Sequence, residues 1–166
     1  FNRLGSKAVL LPDYALWTKP AKHLASSLPN EPFMLLALRG ERAGSQGQAA
    51  IIDACTTVAQ KEGLHLVFAC LHPSQDIQTA RFGLSRSPYA RMLPTLEAEV
   101  LVALLQRHAR LVIATRLHAL LFAAAAGTPA ITFADGGKIS DFAAFAAMCD
   151  RQDAPLLSCL SETDGL

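Results

Sequence analysis

Short, nearly unbroken apolar runs, set between longer amphipathic segments, constrain this chain more than any other feature. Phe33 to Leu38 reads FMLLAL, Leu64 to Cys70 LHLVFAC, Leu111 to Thr115 LVIAT and Ala130 to Phe133 AITF. A strand with one wet face alternates apolar and polar residues; a continuous run belongs to a strand buried on both faces. Both faces of such a sheet must then be covered by helices. Between the runs lie segments of helical spacing. Gln48 to Glu62 places Ile51, Ile52, Cys55, Val58 and Ala59 on one face and stops at Gly63. Pro73 to Phe82 starts with Pro near the first helical position and reads as a short helix. Leu96 to Arg107 follows Thr95 as its expected N-cap, Leu117 to Ala126 is closed by Gly127, and Ile139 to Met148 carries Phe142, Phe145 and Ala146 on one face. Tyr89 to Leu93 is a weaker strand.

The expected fold is therefore α/β: a Rossmann-like open, mostly parallel sheet with helices on both faces and right-handed crossovers. With 166 residues, about half of them apolar and 17% charged, the chain suits one globular domain. Residues 1–32 are poorly patterned and broken at Leu28-Pro-Asn-Glu-Pro32, so they read as an inter-domain lead-in. Phe1 is not a start residue, and the expectation is one domain of a longer protein. A net charge of +1 gives no support for bulk nucleic-acid binding. No apolar run reaches the roughly 18 residues of a membrane helix. The cysteines at 55, 70, 149 and 159 form no C-x-x-C pair and no zinc spacing, and read as reduced buried thiols of a cytoplasmic protein.

Ligands of open α/β sheets bind outside the carboxyl ends of the strands. Arg39, Glu41 and Arg42 follow the first run, His72 and Asp76 the second, Arg116 and His118 the run ending at Thr115, and Asp135 and Lys138 the run ending at Phe133. Cations outnumber anions there, which suits an anionic small ligand. Arg116 and Leu117 also stand where a helix begins, and a helix N-terminus offers free N–H groups and a positive dipole end. Arg116 adds a bidentate fork, and His118 an imidazole that gains or loses a proton near neutral pH. Each has a plainer reading too. Arg116 is equally placed to pair with a neighbouring carboxylate, His118 to be a hydrogen-bonded core residue, and His72 before Pro73 to be a turn residue. His23, His65 and His108 lack the strand-end address and read as structural or exposed. No P-loop, dinucleotide fingerprint, nucleophile elbow or metal-ligand spacing is present.

The block Arg116-Leu-His-Ala-Leu-Leu-Phe-Ala-Ala-Ala-Ala-Gly-Thr-Pro129, followed by Asp135, Lys138 and Phe142, resembles the C-terminal signature of the polysaccharide pyruvyl transferase family, notably its bacterial cell-wall branch. The strand ending in Leu38-Arg39 and the segment Val67 to Asp76 are also similar. The chain departs from the pattern at Thr115, where Met is usual, at Ala134, where Tyr is common, at Ala69-Cys70, which lacks a Pro, and at the two glycines between Asp135 and Lys138. The resemblance implies two Rossmann-like domains facing a cleft, as in GT-B glycosyltransferases, with this chain as the C-terminal one. It implies transfer of a pyruvyl group from phosphoenolpyruvate to a sugar of a cell-wall or exopolysaccharide glycan as a ketal, with release of phosphate. Arg116 and Arg39 would hold the donor's anions, with Leu117 at the helix N-terminus; His118 would move the proton; Lys138, Asp135 and His72 would orient donor or acceptor. Partners would be phosphoenolpyruvate, a glycan acceptor that is lipid-linked in some cases, and an N-terminal domain. No cofactor or metal is expected, and the location would be cytoplasmic or peripheral at the inner membrane face. Two other readings stay open: a nucleotide-sugar-binding domain of a GT-B glycosyltransferase, and a non-catalytic structural domain.

Overall fold

The computed structural model describes residues 13–40, 44–133, 139 and 157–160. Six parallel strands form one sheet: β1 (Phe33–Ala37), β2 (His65–Phe68), β3 (Arg91–Met92), β4 (Ala109–Ala114), β5 (Ala130–Phe133) and β6 (Leu157–Leu160). Their spatial order is β3-β2-β1-β4-β5-β6. Between the strands lie the helices α1 (Gln46–Lys61), α2 (Pro73–Arg86), α3 (Ala98–His108) and α4 (Leu117–Ala126). This is the Rossmann-like architecture expected from the apolar runs.

β1 shows why those runs are continuous. Phe33, Leu35 and Ala37 join the core made with α3 and α4, while Met34, Leu36 and Leu38 join the core made with α1 and α2. All six are buried. Two separate cores on two faces leave no position for a polar residue. α4 extends the same logic to a helix. Ala119, Leu120, Ala123 and Ala126 enter the core it shares with α3 and the sheet, and a 3-10 turn at Tyr14–Trp17 lies against it as well. Its small side chains allow close packing, and Gly127 closes it at φ 65°, a left-handed conformation that costs glycine little.

The boundaries differ from the sequence expectation where side chains outside the apolar pattern decide them. α1 starts at Gln46, two residues early, because Ser45 Oγ accepts the Gln48 N–H at 3.3 Å. α2 runs on to Arg86, whose guanidinium meets Asp53 of α1 at 2.8 Å and lies 5.6 Å from the Phe82 ring. The Arg86 hydrogen bond holds the Asp53 carboxyl below the usual carboxylate range. Thr95 is not the N-cap of α3. Glu97 takes that place with no side-chain cap, since the Leu93 N–H still donates to the Phe68 carbonyl and Pro94 follows at once. β4 begins at Ala109 and ends before Thr115, whose side chain has another partner. β6 has no counterpart among the expected strands. Most of the helix expected over Ile139 to Met148 lies outside the described residues, as do Glu41, Arg42, Asp135 and Lys138. Among the described residues, no helix is long and apolar enough to cross a membrane. Cys55 is buried and Cys70 half-buried, both as free thiols, and burial pushes the Cys55 thiol up to about 12.

Candidate functional site

The strand order reverses between β1 and β4: the chain moves outward from β1 through β2 to β3, then crosses to β4 on the other side. At such a point the two neighbouring crossovers leave on opposite faces, which opens a crevice beyond the strand ends. Arg39 follows β1 and Arg116 follows β4, so the two arginines lie on the adjacent lips of that crevice. Hydrogen bonds fix the lips to each other. The Thr115 N–H donates to the Ala37 carbonyl at 3.1 Å, and the Arg39 N–H donates to Thr115 Oγ1 at 2.9 Å. Thr115 therefore joins the two loops through both its backbone and its hydroxyl.

The Arg39 backbone is held from a second direction. Its carbonyl accepts from Gln48 Nε2 of α1 at 2.9 Å and from Thr79 Oγ1 of α2 at 3.4 Å. Gln48 and Thr79 are both buried polar residues. This partner satisfies Gln48 Nε2 and Thr79 Oγ1, since a buried donor without a hydrogen bond is costly, while Gln48 Oε1 has no hydrogen bond among the described residues. The next residue, Gly40, presses against α2 so closely that a Cβ there would lie 1.5 Å from the Gln75 carbonyl oxygen.

Arg116 is the N-cap of α4, and no side-chain cap closes this helix end. Its guanidinium pairs with Asp76 through Nε at 3.1 Å and through a short Nη2 contact, and Nη2 also donates to Gln75 Oε1 at 2.8 Å. The pairing with a carboxylate, left open by the sequence, is thus the one adopted. The Asp76 side chain is 2% exposed and that of Arg116 17%, so the ion pair is held in a largely dry setting. Asp76 Oδ2 also accepts the His72 N–H at 3.0 Å. His118, in the first turn of α4, is exposed and has no hydrogen bond to any described residue; its ring lies 6.3 Å from that of Phe122. The core-histidine reading is therefore set aside. Leu117 is half-buried against the α3–α4 core, and its backbone N–H stands at the uncapped end of α4.

Of the expected site residues, Arg39 stands just past the end of β1, and Arg116, Leu117 and His118 stand between the end of β4 and the first turn of α4, beside the reversal point. His72 stands at the start of α2, exposed, with Nδ1 3.1 Å from Ser74 Oγ, as a turn residue would be. Sequence reasoning missed Gln48, Gln75, Thr79 and Thr115. The Ser45-x-x-Gln48 pattern of a helix start was a usable signal for Gln48; nothing local marks the other three. Among the described residues, no three His, Cys, Asp or Glu side chains come together to hold a metal ion.

The polysaccharide pyruvyl transferase family model matches residues 1–136, most of the chain and all of the described crevice. The chain belongs to the polysaccharide pyruvyl transferase family. No curated protein matches it in sequence. Solved structures share the fold at low identity. The UDP-GlcNAc 2-epimerase from Methanocaldococcus jannaschii is 15% identical with a TM-score of 0.56, over 81% of this chain and 36% of that one. The same epimerase in complex with UDP-GlcNAc and UDP gives 14% and 0.53, over 79% and 35%. The E. coli heptosyltransferase WaaC with ADP-2-deoxy-2-fluoro heptose gives 14% and 0.52, over 81% and 38%. The fold is thus that of a GT-B-like half, and the chain spans about a third of the length of these structures.

Proposed function

We propose that this domain binds phosphoenolpyruvate in a pyruvyl transferase that builds a pyruvyl ketal on a sugar of a cell-wall or exopolysaccharide glycan and releases phosphate. One observation carries the reading: Arg39 and Arg116 stand on adjacent strand ends at the reversal point, beside an uncapped helix N-terminus with an exposed imidazole in its first turn. The donor bears a phosphate and a carboxylate, and two guanidinium groups with a helix N-terminus match that pair of anions. His118 protonates the enol methylene, which leaves an oxocarbenium-like centre at the carbon bearing the phosphate ester. Two sugar hydroxyls form C–O bonds to that centre and give up their protons, and the phosphate leaves with its bridging oxygen. Positioned proton transfer and stabilisation of developing charge are the chemical contributions asked of the protein. The reaction so written uses no metal and no further cofactor.

Asp135, Lys138 and His72 are proposed to orient donor or acceptor. The acceptor is proposed to sit between this domain and a second one; a lipid-linked acceptor would bring the enzyme to the inner membrane face from the cytoplasm. On this reading the 166-residue chain alone does not turn over.

The test is ketal-pyruvate formation on a cell-wall glycan by the full-length protein. His118→Ala is expected to lower turnover by about 100-fold or more, as for loss of a general acid; turnover like wild type would remove His118 from the mechanism. A nucleotide-sugar donor is the second reading, favoured by the nucleotide sugars named with the structural neighbours. Calorimetry separates the two, since phosphoenolpyruvate and not a nucleotide sugar is expected to bind.

A further inference from the structure

Both arginines of the crevice are set by the same helix. Asp76 and Thr79 stand three residues apart on α2 and therefore on one face, and each is 1% exposed. Asp76 takes the Arg116 guanidinium, and Thr79 takes the Arg39 carbonyl. Gln75, one residue before Asp76, braces Nη2 of Arg116 from its side chain and stops Gly40 from its backbone. The start of α2 thus contacts both lips.

We infer that Asp76 is a positioning residue that holds the Arg116 guanidinium in one orientation toward the crevice. The inference rests on the reading of this crevice as the phosphoenolpyruvate site. The donor arithmetic supports it. A guanidinium has five N–H groups. Asp76 and Gln75 occupy the Nε and Nη2 side of Arg116, and among the described residues nothing takes the two N–H groups of Nη1. Those two are left for an anion. The buried carboxylate also offsets the charge of Arg116. Arg116 then acts as an aimed donor more than as a free positive charge, while the helix N-terminus supplies the field. Removing the Asp76 charge should therefore split two properties that a purely structural defect would lower together. Arg116 would gain effective charge and hold a small, symmetrical anion at least as well. It would lose its aim, and catalysis depends on aim.

The experiment uses the full-length enzyme and measures pyruvyl transfer from phosphoenolpyruvate together with inhibition by inorganic phosphate. Asp76→Asn is expected to lower kcat by about 100-fold, the scale of a misplaced reacting group, with inhibition by phosphate unchanged or tighter. Asp76→Glu, which keeps the charge, is expected to recover about tenfold of that loss. Wild-type kcat in folded Asp76→Asn overturns the inference, and so does a loss of kcat matched by an equal loss of phosphate inhibition. Should Asp76→Asn fail to fold, Gln75→Ala decides. Gln75 is exposed, so this variant keeps the fold. A drop in kcat with phosphate inhibition kept supports the brace, and an unchanged kcat overturns it. Arg116→Lys separates the levels: wild-type turnover there removes the site reading and the inference with it. Impaired Arg116→Lys beside normal Asp76→Asn removes the inference alone.

Discussion

Single atoms decide much of this crevice. At Gly40 a methyl group would overlap the Gln75 carbonyl. Gly40→Ala must push the loop after β1 away from α2, and with it Arg39. We expect Gly40→Ala to cost about 1–3 kcal/mol, the range for overpacking, read as a lower urea midpoint, and to weaken the proposed phosphoenolpyruvate binding as well. A second residue-scale effect concerns pH. Burial pushes the Cys55 thiol up to about 12. Below the ordinary thiol value both folded and unfolded chains keep this proton. Above it, only the unfolded chain releases the proton until the folded value is reached. Stability is therefore lost as pH rises, by at most about 1.4 kcal/mol per pH unit between roughly 8.5 and 12. Urea midpoints measured across that window should fall less steeply for Cys55→Ala than for wild type.

Helix α2 shows how an element is held from several sides. Its N-terminal half carries Asp76, Gln75 and Thr79 toward the crevice, and its C-terminal half is tied to α1 through Arg86 and Asp53. Gly83 lets it lie directly on the sheet: a Cβ there would come within 2.2 Å of the Phe68 ring. Alanine is the better helix former by about 1 kcal/mol, yet Phe68 is buried and has little room to yield. Gly83→Ala is therefore expected to destabilise by about 1–3 kcal/mol despite its helix propensity. A thermal melt followed by circular dichroism gives the sign, and a rise in midpoint would show that α2 can lift from β2 without cost. Because α2 positions both arginines, the same variant should lower turnover more than its stability loss explains.

For the molecule as a whole, protection should follow the sheet's own order. β1 and β4 are central, and β1 is buried along its full length; β3 is an edge strand of two exposed residues. Local opening takes its free energy from the contacts that are lost. Native-state hydrogen exchange should place the amides of Met34 to Leu36 and Val112 to Ala114 near the global unfolding free energy, and those of Arg91 and Met92 far below it. Equal protection at centre and edge would mean that the sheet opens only as one unit. A rigid centre has a functional meaning here, since β1 and β4 carry Arg39 and Arg116 at their ends. The scaffold that must not move is the one that sets the crevice.

The residues by themselves determined the architecture. Short apolar runs bounded by charges or turn residues suit strands with two dry faces, and helical spacing between them supplies the cover; Phe33 to Leu38 reads this way, and its residues enter both cores. They also determined the address of Arg39, Arg116 and His118, because strand ends are legible wherever such a run stops at a charge. The short β6, the start of α3 at Ala98 and the extent of α2 were not legible, since each is set by contacts with residues far along the chain. The partner of Arg116 was not legible either. Asp76 lies 40 residues away, and only the parallel pairing of β2 and β4 on either side of β1 brings the segments after them within reach of each other. Local sequence records what a segment can bury. Which charge meets which is decided by tertiary structure, because ion pairs and side-chain hydrogen bonds depend on distances of a few ångströms between segments that share no pattern.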